Sequence, residues 1–281
     1  MHDRVVLARQ RLRDAGLPSD EADLDARLLA EHVLGWTTER YVAESRLAAP
    51  IEFDVRLDAL VARRAAREPF AYIVGHEEFW GLAFEVTPAA LIPRPETELL
   101  VELAIARCPA KTSLRIADVC TGSGCVAVAI AHERPAVSLQ ATDISGAALD
   151  LARRNAARHG VSARIGFSRA DLLDGVDGPF DLVVANPPYV AERDRAALQP
   201  EVVDHEPGIA LFAGDDGLDA IRRLLPASAA RLKPGGTLLF EFGFGQDEAV
   251  AQLISSEPRL RMIELRRDLA GIPRVAVATR E

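Results

Sequence analysis

Apolar positions along the first 70 residues recur at helical spacing between breakers. Val5, Ala8, Leu12 and Ala15 share one helical face, and Gly16 ends that helix. The next pattern has Ser19 or Asp20 to cap it and Asp20, Glu21 and Asp23 near its positive end. Leu28, Leu29 and Val33 form its buried side, and Gly35 follows. A third turns Leu57, Leu60 and Val61 inward and must stop before Pro69. These patterns predict a small helical bundle over residues 1–75. From His76 the period shortens to two around Gly81, which predicts a β-hairpin within a linker at 76–95. From Ser113 onward apolar runs alternate with helical patterns. Runs at 114–119, 137–143, 163–168, 180–185, 237–242, 260–265 and 274–279 give seven strands. The fold class is therefore α/β, a Rossmann-like sheet covered on both faces over residues 96–281.

The fourth of these strands stops abruptly at Asn186-Pro187-Pro188-Tyr189. Proline fixes φ, lacks an N–H and pushes the residue before it out of the helical region, so Asn186 and Pro187 are held extended. The Asn186 side-chain oxygen and the Pro187 carbonyl form an acceptor pair suited to both hydrogens of a planar NH₂ group, and Tyr189 can cover its flat face. Catalytic roles fall to Asn186, Pro187 and Tyr189, and substrate contacts also to Pro188. A strand end followed by an ordinary turn is the plain alternative. Leu91-Ile92-Pro93-Arg94-Pro95-Glu96-Thr97-Glu98 is a stiff segment leading into a helix near Glu96. Its two prolines hold Arg94 in a fixed direction, as a wall of the substrate site, whereas the plain alternative is a solvated helix entry.

Asp118-Val119-Cys120-Thr121-Gly122-Ser123-Gly124 follows the first strand of the sheet and opens a helix. Glycines let the backbone approach a ligand, and the helix start offers free N–H groups. Gly122-x-Gly124-x-x-Ala127 passes as a dinucleotide fingerprint, with Asp143 placed to bind ribose hydroxyls. Together they say adenosine-type cofactor without naming it, a plain strand-turn-helix junction being the alternative, with Asp171 either available to an adenine amino group or a solvated turn aspartate, and Leu172 placed against the ring. A nicotinamide oxidoreductase needs a proton-transfer residue facing the substrate carbon, which Asn186–Tyr189 does not offer. Neutral acceptors suit an NH₂ group attacking a methyl sulfonium, so the cofactor is S-adenosylmethionine. An exocyclic adenine NH₂ presents the same geometry, which keeps a nucleic-acid methyltransferase open. A cofactor-binding module without catalysis is a further reading.

Charge and composition narrow these choices. The 281-residue chain is 49% hydrophobic with a formal charge of −9, and residues 1–75 carry 11 arginines against 13 carboxylates, so there is no basic footprint for a phosphate backbone. Direct nucleic-acid binding is not expected, and a protein partner is. No apolar run suits a membrane span or secretory leader, so a soluble, cytoplasmic monomer is expected. Cys108, Cys120 and Cys125 form neither a disulfide framework nor a metal-ligand pattern, and no metal is expected.

Nearly the whole chain resembles the HemK/PrmC protein-(glutamine-N(5)) methyltransferases, which modify bacterial peptide chain release factors. The resemblance is carried by Phe79-Trp80-Gly81 with Phe84-x-Val86, by residues 91–98, by Asp118–Gly124, by Asn186–Tyr189, and by Glu206-Pro207 with Ala210-Leu211. Related enzymes that methylate a ribosomal-protein glutamine share the Asn-Pro-Pro-Tyr loop but differ around 94–98. The resemblance implies that Cys120, Thr121, Gly122, Ser123, Gly124, Asp143 and Leu172, with Asn186, contact S-adenosylmethionine. It also implies that Asn186–Tyr189 bind the glutamine of a release factor's Gly-Gly-Gln loop; since one glutamine side chain offers little area for recognition, residues 1–75, the sizeable unit left over, are expected to recruit that protein. Cys120 stands where a glycine is common; if the backbone there needs positive φ, the substitution strains it.

Overall fold

A computed structural model describes residues 1–281, which divide into two compact units. Met1–Gly75 forms the first with α1 (His2–Asp14), α2 (Ser19–Leu34), α3 (Thr38–Glu44), α4 (Phe53–Ala65) and α5 (Phe70–Val74). Val5, Leu12, Leu29, Phe53, Leu57 and Val61 fill its core, whereas Leu28 and Leu60 are only half-buried. Neither Ser19 nor Asp20 caps α2. The helix begins at Ser19 itself, with Pro18 before it and the acids Asp20 and Glu21 in its first turn, where they favour the helix dipole. Gly35 ends α2 in the left-handed conformation at φ +64°, and the Thr37 side chain caps α3.

The second unit begins with the hairpin of β1 (His76–Phe79) and β2 (Leu82–Glu85), reversed at Trp80 and Gly81 with φ of +56° and +67°. The pair of positive φ values matches the right-handed twist of the two strands. After a 3₁₀ turn, Pro95–Thr97, come α6 (Glu98–Arg107), β3 (Arg115–Val119), α7 (Cys125–Glu133), β4 (Ser138–Asp143) and α8 (Gly146–Arg158). Then follow β5 (Ile165–Arg169), β6 (Phe180–Ala185), α9 (Pro200–His205), α10 (Asp219–Arg231), β7 (Leu232–Glu241), α11 (Asp247–Ser256), β8 (Leu260–Arg267) and β9 (Pro273–Arg280). All seven sheet strands expected from the apolar runs are present. The fifth is longer than its apolar run and starts at Leu232.

The seven strands form one sheet in the order β5-β4-β3-β6-β7-β9-β8, parallel except where β9 pairs antiparallel with both β7 and β8. Period two divides the side chains between two cores: Ile116, Leu182, Val184 and Leu239 face one, and Ala117, Val183, Leu238 and Phe240 face the other. The order reverses between β4-β3 and β6, so the loops after β3, β4 and β6 open into the crevice where such sheets bind ligands.

Gln199–His205, which includes α9, clusters with the helical unit rather than with its neighbours in sequence. Charge explains why. Arg64 is 2% exposed, and its guanidinium meets Asp25 at 2.6 Å, Glu201 at 2.9 Å and Glu21. Arg67 takes the other Glu201 oxygen at 2.7 Å. Buried charges persist only when paired in this way.

Candidate functional site

The crevice at the strand ends holds a cavity of about 350 Å³, within the range of small-ligand sites. Cys120, Thr121, Gly122 and Ser123 line it on the β3 side, Asp143 at the end of β4, Asp171 and Leu172 after β5, and Asn186 and Pro188 after β6. Arg94 and Thr97 line it from the segment before α6. Gly124, Pro187 and Tyr189 are not among the lining residues.

Backbone geometry shapes the β3 side. Cys120, Gly122 and Gly124 have φ of +59°, +54° and +81°, so the expected strain at Cys120 is present. Gly124 opens α7 and packs so closely on α8 that a Cβ there would lie 2.9 Å from the Ala152 Cβ. Asp143 accepts from the Gly122 N–H at 2.9 Å and from the Ser145 N–H at 2.8 Å. Burial raises its carboxyl pKa, and those N–H donors oppose the rise. Asp118, 1% exposed, accepts the Thr121 hydroxyl at 2.6 Å; burial pushes it up to about 7. Burial, with Asp143 and Asp118 nearby, also raises the Cys120 thiol, which makes it a poor nucleophile. Asp171 pairs with Arg223, and both line the cavity.

Asn186 is held from behind. Its Nδ2 donates to the Thr97 hydroxyl at 3.1 Å, and Thr97 donates to Glu241 Oε2 at 2.7 Å. The second Glu241 oxygen accepts the Tyr189 hydroxyl at 2.9 Å. Tyr189 is thus anchored by its hydroxyl to the end of β7, and its carbonyl accepts from Gln246 at 3.0 Å. Glu241 is 1% exposed, and burial raises its pKa against the two hydroxyls and the Arg274 charge. The amide nitrogen being committed to Thr97, the Asn186 oxygen is left for the cavity. Arg94 pairs with Glu206, whose other oxygen accepts the Ile92 N–H at 3.2 Å. The stiff segment is therefore tied to the loop after α9, and Arg94 keeps further N–H donors for a ligand.

Sequence reasoning did not assign Glu241, Asn155 or Glu206. Glu241 had a signal: a lone carboxylate ending the apolar run Leu238-Leu239-Phe240 in a buried strand. Asn155, fully buried on α8, donates to the Ser123 carbonyl at 2.9 Å and braces the loop from outside the cavity; within an amphipathic helix nothing marks it.

An adenosine-containing cofactor fits these residues. Cys120, Thr121, Gly122 and Ser123 line the cavity from the turn, Asp143 supplies a carboxylate at the expected distance along the chain, and Leu172 supplies an apolar face.

Comparison with known proteins agrees in both units. Residues 5–75 match the model of the PrmC N-terminal domain, and residues 96–206 match the methyltransferase small domain. The structure is similar to a ribosomal protein L11 methylase from Lactobacillus delbrueckii subsp. bulgaricus, at 26% identity and a TM-score of 0.50, covering 67% of this chain and 80% of that one. A release factor glutamine methyltransferase from Deinococcus radiodurans is 40% identical over 100% of this chain and 98% of its own length. Another, from Cereibacter sphaeroides, is 44% identical over 98% of this chain and 97% of its own. With such identity running through both the helical unit and the sheet, the chain belongs to the release factor glutamine methyltransferase family.

Proposed function

We propose that this protein transfers a methyl group from S-adenosylmethionine to the side-chain amide nitrogen of the glutamine in a release factor's Gly-Gly-Gln loop. The observation that carries this reading is the Asn186–Thr97–Glu241 chain of hydrogen bonds, which leaves an amide oxygen as acceptor beside the 120–124 turn. When bound, the cofactor supplies an electrophilic methyl on a sulfonium. Cys120–Ser123, Asp143, Asp171 and Leu172 would hold it, with Gly124 permitting the close packing of the loop on α8.

An amide nitrogen is a weak nucleophile because its lone pair is delocalised. The protein must therefore align it and polarise its N–H bonds. Asn186 accepts from the NH₂ group, Arg94 and Pro188 form the walls, and Pro187, buried outside the cavity lining, fixes the extended backbone that presents Asn186. Tyr189 acts through its anchored position, which keeps the loop rigid. Alignment of this kind contributes about 7–11 kcal/mol in favourable cases. One glutamine side chain offers little surface for recognition, so the helical unit is assigned to recruit the release factor. Val42, Leu47, Ile51 and Val55 are exposed apolar side chains in that unit, as a protein contact needs. A cytoplasmic location follows from such a substrate. No helix is long and apolar enough to cross a membrane.

Incubation with methyl-labelled S-adenosylmethionine and a purified release factor tests the reading. Label is expected on the Gly-Gly-Gln peptide and absent when that glutamine is alanine. Label on RNA or DNA with the release factor untouched would overturn it.

A further inference from the structure

An amide side chain offers opposite hydrogen-bonding faces, exchanged by a half-turn about its last bond. With Oδ1 in the cavity, Asn186 accepts from an NH₂ group. With Nδ2 there, it would meet that group donor to donor and would favour a carboxylate instead. The choice is made outside the cavity. The Thr97 hydroxyl has a single proton, and that proton goes to Glu241 at 2.7 Å. Thr97 can then only accept from Asn186, so Asn186 must turn its Nδ2 toward Thr97, as it does at 3.1 Å. Glu241 imposes this direction because both of its oxygens accept hydroxyl protons, one from Thr97 and one from Tyr189 at 2.9 Å, which leaves no second donor for Thr97 to receive from. Thr97 is 2% and Glu241 1% exposed, so water does not compete for either.

We propose that Thr97 and Glu241 are positioning residues that fix the Asn186 amide with its oxygen toward the cavity, and thereby make the site select a glutamine side chain over a glutamate one. The proposal rests on the functional reading above. Glutamate is the discriminating competitor, since it has nearly the shape of glutamine and reverses the hydrogen-bonding pattern. Glutamine at position 241 would let the network run in either direction, because its Nε2 can donate to Thr97 and release the Thr97 proton toward Asn186. Valine at position 97 removes the link while keeping the volume.

The test uses the full chain, S-adenosylmethionine, and a release factor in two forms, Gly-Gly-Gln and Gly-Gly-Glu. The parent is expected to bind the glutamine form more tightly. In Thr97→Val and Glu241→Gln, kcat should fall at least about tenfold and the preference should shrink toward one, the size of effect expected when a buried hydrogen-bonding pattern is lost. Cofactor affinity should stay within about threefold in both, the cofactor's own contacts being intact. Thr97→Ser, which keeps the hydroxyl, should recover most of the lost turnover. A parent-like preference in either variant overturns the proposal even if kcat falls, because a merely structural role lowers turnover without changing which side chain is preferred. Failure of Thr97→Ser to recover turnover also overturns it. Should Thr97→Val not fold, Glu241→Gln decides by the same ratio. A parent that methylates no release factor instead refutes the functional reading.

Discussion

Asn155 and Glu85 exchange two hydrogen bonds: the Asn155 Oδ1 accepts the Glu85 N–H at 2.8 Å, and its Nδ2 donates to the Glu85 carbonyl at 3.0 Å. The side chain thus pairs with the end of β2 as a neighbouring strand would. Its second N–H goes to the Ser123 carbonyl, so one buried amide ties the hairpin to the 120–124 turn. Asn155→Ala leaves three backbone groups without partners. A loss of about 2–4 kcal/mol is expected in denaturant unfolding, together with weaker S-adenosylmethionine binding by calorimetry. Unchanged cofactor affinity would show that the turn holds its shape without the brace.

Asn186→Ala is expected to lower turnover by at least about a hundredfold while cofactor affinity stays within about tenfold, because the lost oxygen aligns the incoming nitrogen. Turnover surviving within a few-fold would remove the gripping role assigned to the loop.

The sheet was legible in the sequence because its buried strands are largely apolar runs, and those of β3, β4, β5 and β6 ended where the cavity lining begins. The site was legible where backbone chemistry leaves a mark in residue type: the glycines at 122 and 124, and the prolines at 93, 95, 187 and 188. Contacts made across the fold left less. Glu241 is joined to Thr97 over 144 positions, and Arg64 to Glu201 over 137, and no local pattern encodes either pairing. The return of α9 to the helical unit was invisible for the same reason: it depends on a buried charge cluster, not on periodicity. Ser19 and Asp20 read as caps because capping preferences are local, yet Pro18 at the helix start decided the boundary.

Arg64→Met should destabilise the helical unit by about 3–5 kcal/mol, since Asp25 would remain buried without its cation and Glu201 would keep only Arg67. The deficit should shrink as pH falls and those carboxyls become protonated, which chemical unfolding at pH 5 and pH 8 would measure. A loss independent of pH would point to packing instead of charge.

Strain in the turn separates two glycine-related changes. Cys120→Gly relieves a residue at φ +59°, so it should cost less than about 1 kcal/mol and leave cofactor affinity equal or tighter. Gly124→Ala adds a methyl 2.9 Å from the Ala152 Cβ at φ +81°, and should lose about 1–3 kcal/mol with cofactor binding weakened. Melting and calorimetry on both variants check the contrast; equal effects would mean that the positive φ at Cys120 is not a source of strain.

Asp118 sets a pH dependence whose sign is fixed by burial. Its carboxyl titrates near 3.8 when unfolded and near 7 in the fold, where burial outweighs the Thr121 hydroxyl and the Ala127 N–H, and the charge of Asp143 adds to the rise. Between those values the folded chain keeps a proton that the unfolded chain has released. The contribution is therefore fully present below about pH 4 and is lost as pH rises toward 7. A rise from 3.8 to about 7 sets its scale at about 4 kcal/mol. Asn at position 118 can still accept from Thr121 and Ala127 but does not titrate. Asp143 and Glu241 remain in both proteins, so their own titrations largely cancel in the comparison. The melting temperature of Asp118→Asn relative to the parent should rise from pH 4 to pH 7 and then level off. A constant difference across that window, or one that falls, would show that Asp118 is ionised in the fold throughout.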